Sequence, residues 1–120
     1  MSIIRVDNFG PSAGGTTYSA RGVAKAWADM TATASLNDSL NVSSGVDNGA
    51  GDYTTNLTSA FGDADYAIAS NVNNTFLANT MAVNTNASSY RNYGFYVNFP
   101  GGNTPALDAD IHTVAYGDLA

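Results

Sequence analysis

The chain has 120 residues and a formal charge of -6, from ten acidic and four basic residues, with one histidine and no cysteine. That length suits one domain able to bury roughly two-thirds of the surface of its unfolded form, and the lack of cysteine excludes disulfides, thiolate chemistry and thiolate-bound zinc. Every acid is Asp, Glu and Gln are absent, and the only fixed cations are Arg5, Arg21, Lys25 and Arg91. Four such charges cannot neutralise a run of phosphates, so nucleic acid is not an expected partner.

Residues 1–20 differ from the rest. Ile3, Ile4, Val6 and Phe9 precede a Gly, Pro and Ser-rich connector from Gly10 to Thr17. No window approaches the roughly 20 apolar residues of a membrane helix, and no signal peptide is expected. The reading is an arm whose apolar side chains, too few to fold alone, dock on sister chains or another protein.

From residue 21 onward, short aromatic and β-branched stretches alternate with Gly, Asn, Asp and Ser clusters, the pattern of a sandwich or barrel. Long helices are disfavoured, because Asp, Asn, Ser, Thr and Gly compete with helical hydrogen bonding. Seven strands are expected, at about 21–30, 35–46, 52–61, 64–73, 80–84, 93–99 and 109–117. The first places Ala24, Ala26 and Ala28 on one face and Val23, Lys25 and Trp27 on the other; its alanines also suit a helix, against which Gly22 argues. In the second, Leu36, Leu40 and Val42 alternate with Asn37, Ser39 and Asn41. In the third, Tyr53, Thr55 and Leu57 alternate with Thr54 and Asn56, after a turn in which Asn48, Gly49 and Gly51 can take positive φ. Tyr93, Phe95, Val97 and Phe99 share a face and are expected to supply much of the core before Pro100-Gly101-Gly102 ends the strand.

Several segments, taken together, resemble a recurring tail-fibre module of bacteriophages. They are Gly22-Val23-Ala24-Lys25-Ala26-Trp27, Asp38-Ser39-Leu40-Asn41-Val42-Ser43-Ser44, Asp47-Asn48-Gly49-Ala50-Gly51-Asp52-Tyr53-Thr54, Ala64-Asp65-Tyr66-Ala67 and Ile111-His112-Thr113-Val114-Ala115-Tyr116-Gly117-Asp118. The family has an AKAW strand, a DSFNVSS strand, a DNGTGDYT hairpin, an NYA strand and a final strand ending in FGD. Met1-Ser2-Ile3-Ile4-Arg5-Val6-Asp7 is similar to the opening of members without a long shaft. Leu40 replaces a frequent Phe, Ala50 a common Thr, and Asn71 to Ser89 matches no part of the pattern. The resemblance implies a compact antiparallel β-sandwich, often a homotrimer, at a fibre's distal end on the virion.

No catalytic constellation is recognisable, and no enzyme, cofactor or resident metal is expected. His112 is a lone histidine, and the chain has no GxSxG, Walker, HExxH or dinucleotide motif. Asp63 with Asp65, and Asp108 with Asp110, have the spacing of paired carboxylates or part of a calcium site, but read better as solvated turn acids. The Asp47 to Asp52 loop lacks the spaced third oxygen ligand and the bidentate Glu of a calcium loop. Tyr90-Arg91-Asn92-Tyr93, with Trp27, Tyr96 and Tyr116, offers aromatic faces with polar tips, of the sort that bind sugars.

The expected organisation is therefore an arm and linker at 1–20, anchored to virion tail or capsid proteins through Ile3, Ile4, Val6 and Phe9, and a β-sandwich at 21–120. Recognition of a host glycan or surface protein is expected from the polar stretch Asn71 to Ser89, with Asn73, Asn74 and Asn79, and from Tyr90, Arg91 and Asn92. The alternative is a capsid decoration or tail-assembly protein without a receptor.

Overall fold

A computed structural model of the chain describes residues 8–9, 13, 18–19, 22–73, 78–79, 82–93, 96–97 and 107–120. Among the described residues twelve strands form in the order β1 (Asn8–Phe9), β2 (Tyr18–Ser19), β3 (Ala26–Met30), β4 (Leu36–Leu40), β5 (Val42–Gly49), β6 (Asp52–Leu57), β7 (Ala67–Asn73), β8 (Ala78–Asn79), β9 (Ala82–Asn86), β10 (Ser89–Tyr93), β11 (Tyr96–Val97) and β12 (Asp110–Tyr116). There is no α-helix among the described residues. The fold is an antiparallel sandwich of two four-stranded sheets, ordered β4-β3-β12-β7 and β5-β6-β10-β9. Two short ribbons, β1-β2 and β8-β11, are separate two-stranded sheets. Of the expected anchoring residues, Phe9 pairs with Tyr18 in the first ribbon, whereas Ile3, Ile4 and Val6 lie outside the described residues.

Alternation builds the core. Ala26, Ala28 and Met30 of β3 and Ile111, Thr113 and Ala115 of β12 face inward, against Tyr53, Thr55 and Leu57 of β6 and Tyr90 and Asn92 of β10. Two apolar clusters result, one around Met30, Tyr53, Val72 and Ile111 and the other around Leu57, Phe61, Tyr66 and Tyr90. The small alanines of β3 let the facing sheet come close. At Gly45 in β5 an added Cβ would lie 2.3 Å from the Ala34 carbonyl oxygen and 2.8 Å from the Met30 sulfur, so only glycine fits.

The expected strand at 35–46 is two strands in different sheets. Asn41, at φ 57°, is the corner between them. Its Oδ1 accepts from the Ser59 N–H at 2.7 Å and its Nδ2 donates to the Ser59 carbonyl at 3.0 Å, fixing the corner to the end of β6. Within β4 itself Asn37 is an extra residue: Asp29 pairs with Asp38 but Met30 with Leu36. This bulge turns Leu36 inward and leaves Leu40 outward and 49 % exposed, so the two leucines do not share a face as expected.

The expected core strand at 93–99 is also corrected. Tyr93 ends β10 facing outward and is 40 % exposed. Val97 belongs to the short β11, and Phe95 and Phe99 lie outside the described residues. The β5-β6 turn agrees with its sequence, with Gly49 at φ 133° and Gly51 at φ 64°.

Candidate binding faces

The stretch expected to be a recognition loop is largely sheet. Asn71 to Asn73 finish β7, Ala82 to Asn86 form β9, and a two-residue turn leads into β10, which lies between β6 and β9 in its sheet. Strand alternation then divides the Tyr90, Arg91 and Asn92 trio. Tyr90 and Asn92 are 1 % and 0 % exposed and point between the sheets, so their side chains are not available to a receptor. The Tyr90 hydroxyl meets Thr113 Oγ1 at 2.6 Å, and Asn92 Nδ2 donates to Ser70 Oγ at 3.2 Å, two polar links from one sheet to the other. Only Arg91 faces outward. Asn73 is exposed at the end of β7, Asn79 lies in β8, and Asn74 falls outside the described residues.

Arg91 is held on its face. Its guanidinium makes a bidentate pair with Asp52, through Nε to Oδ1 at 2.7 Å and Nη2 to Oδ2, and lies 5.7 Å from the centroid of the Tyr93 ring. The hydrogen bond from Arg91 holds the Asp52 carboxyl below its usual range, and the same bond raises the Arg91 guanidinium. Asn48 Nδ2 adds a bond to Thr54 Oγ1 at 2.9 Å. Around this group the outward face of β5-β6-β10-β9 carries amides and hydroxyls that satisfy one another, beside exposed Val46 and Tyr93: Asn56 Nδ2 donates to Ser44 Oγ at 3.0 Å, and Asn86 Nδ2 to Ser89 Oγ at 2.8 Å.

The opposite outward face has another character. Leu40, Trp27, Val114 and Ala69 are directly paired neighbours and cross the β4-β3-β12-β7 sheet as one apolar row. Beside it runs a polar row, Asp38, Asp29, His112 and Asn71, in matching register. His112 Nε2 lies 3.3 Å from Asp29 Oδ1, which also accepts from Asn37 Nδ2 at 3.3 Å. A shallow depression of about 270 Å³ opens between β7 and β12, lined by Ala69, Ser70, Asn71, His112, Thr113 and Val114. Tyr116, 39 % exposed, continues the face along β12. Trp27 and Tyr116 are thus aromatic residues of the outer surface; the element that sequence reasoning missed is Leu40, which reaches it through the bulge.

The paired aspartates hold turns. Asp108 Oδ1 accepts from the Gly51 N–H at 2.9 Å and the Tyr53 hydroxyl at 3.2 Å. Asp110 Oδ1 accepts from the Ala32 N–H at 2.9 Å, and Asp63 Oδ1 from the Asp65 N–H at 2.8 Å. The carboxylates of Asp63, Asp108 and Asp110 thereby satisfy backbone donors of the loops. Among the described residues no group of three acidic or histidine side chains stands close enough to hold a metal ion. No described helix is long and apolar enough to cross a membrane. Compared with family models, curated proteins and solved structures, the chain matches none of them.

Proposed function

We propose that this chain is the attachment module of a bacteriophage tail fibre, carried on the virion as a homotrimer and binding a glycan or protein of the host surface. The observation that carries the reading is the row of Leu40, Trp27, Val114 and Ala69, an outward, contiguous apolar strip across a whole sheet of an acidic molecule. Water-facing apolar surface arranged contiguously and rimmed by polar groups marks an interaction site. A sandwich cross-linked between its sheets by Tyr90 and Asn92 is a rigid support for such a strip. The chemistry offered is binding, and the apolar arm at Ile3, Ile4, Val6 and Phe9 is the segment that docks on virion proteins.

The purified protein tests this in competition with phage particles for host cells. It is expected among the proteins of purified particles, and in excess it is expected to block their adsorption. A protein present in particles that leaves adsorption unchanged is instead a decoration or assembly component.

A further inference from the structure

Resting on the attachment reading, the geometry points to a specific ligand for the outward face of β4-β3-β12-β7: a short chain of neutral or amino sugars, one ring seated in the depression beside His112 and Asn71 and a neighbouring ring stacked on Trp27, which lies across β12 from that depression.

Size is the first argument. Strands about 4.8 Å apart and same-face residues about 7 Å apart make the apolar row a strip roughly 15–20 Å long and one residue deep. Stable protein interfaces bury about 800 Å² on each partner, far more than such a strip supplies. The depression, at about 270 Å³, is just below the roughly 300 Å³ at which pockets for drug-sized ligands begin. One sugar ring in the depression, with its neighbours laid along the strip, matches both dimensions.

Chemistry is the second. A pyranose presents a face of C–H groups and a rim of hydroxyls. The π-face of an indole carries partial negative charge and attracts the C–H groups, while hydroxyls need donors and acceptors at the edge. The apolar row of Trp27, Val114 and Ala69 runs directly beside the polar row of Asp29, His112 and Asn71, one pleat away on the same face. This sheet therefore offers both halves of a sugar's surface in adjacent rows.

Charge is the third. Asp29 and Asp38 stand opposite each other on this face, and the chain carries a formal -6. Lys25, two residues before Trp27, gives one positive charge against these two. Arg91, the residue best shaped for a carboxylate, belongs to the other sheet and is already clasped by Asp52. A uronic or sialic acid would meet net repulsion here, whereas a neutral ring would not and an amino sugar would gain.

Trp27 is the only tryptophan, so its emission reports this face alone. The full-length protein is titrated with dextran, mannan and chitosan fragments, and in parallel with polygalacturonate and polysialic acid. At least one of the neutral or amino polymers is expected to bind and to shift the Trp27 emission. By calorimetry, Trp27→Ala is expected to weaken that binding at least tenfold and Trp27→Phe less, with Asn71→Ala weaker than the parent. Binding of the acidic polymers alone, binding that leaves the emission unchanged, or no binding at all overturns the assignment. So does an emission shift that follows protein concentration without sugar, since a second copy would then cover the face. Should the sugars fail while the protein still blocks phage adsorption, attachment stands and this site falls. Sugar binding by a protein missing from phage particles would leave the site standing and remove the virion role.

Discussion

Three buried tyrosines carry much of the coupling between the sheets and loops. Tyr53 reaches the Ala32 carbonyl at 2.9 Å and the Asp108 carboxylate, Tyr66 lies 2.9 and 2.8 Å from the carbonyls of Asn86 and Ser89, and Tyr90 meets Thr113. Burial raises all three phenols above the ordinary value of 10.0, that of Tyr66 to about 12. Since the folded state holds these protons more tightly, the stabilisation is complete below the unfolded-state value and is lost as pH rises through the folded one. Chemical denaturation should therefore show stability falling above pH 10 and across the interval up to about 12, while these three phenols stay largely protonated in the folded protein and ionise on unfolding. An unchanged denaturation midpoint across that interval would refute it. Tyr90→Phe removes one hydroxyl from a buried pair and leaves Thr113, 5 % exposed, without that partner. Its expected cost is about 1–3 kcal/mol in urea denaturation, with the tyrosinate titration of the remaining groups preserved.

At the scale of elements, the corner between β4 and β5 decides how the chain divides between sheets. Asn41 combines a left-handed backbone with two side-chain bonds to Ser59. Asn41→Ala loses the bonds and keeps the strain, whereas Asn41→Gly loses the bonds but relieves it, so alanine should be the more damaging by about 1 kcal/mol. Equal denaturation midpoints for the two variants would show that backbone strain is unimportant there. This corner also explains what was legible in the sequence. The alternation of Tyr53, Thr55 and Leu57 appears directly as the inward row of β6, because an uninterrupted strand keeps period two. Leu36, Leu40 and Val42 alternate just as well on paper, yet a bulge and a left-handed residue each reset the phase. Strand β10 was hidden for a different reason: its inward Asn92 is polar and its outward Tyr93 aromatic, the reverse of the usual pattern. Trp27 on the outside was readable from the alanines opposite it, but its neighbour Leu40 was not, since partnership across strands depends on register.

For the whole molecule, the sandwich keeps its two outward surfaces chemically separate. One centres on the Arg91–Asp52 pair and a mostly polar set of mutually bonded amides and hydroxyls, and the other pairs an apolar strip with an acidic, amide-bearing row. A strip that shallow offers little affinity in one copy, because the fixed cost of association consumes most of what a small contact supplies. Attachment by such a module then depends on number. If three copies share one fibre, as proposed, engagement of a second and third site is intramolecular, and apparent affinity should exceed that of one site by roughly 10²–10⁴. Host envelope material immobilised at graded density makes this measurable. Dissociation should slow steeply as density rises enough for neighbouring sites to be bridged, and soluble single-site sugar should restore fast release. A dissociation rate independent of density, in a protein whose native mass is that of three chains, would mean that only one site per assembly is in use. The same density series with Trp27→Ala should show fast release throughout, since repetition multiplies a weak contact but cannot replace an absent one.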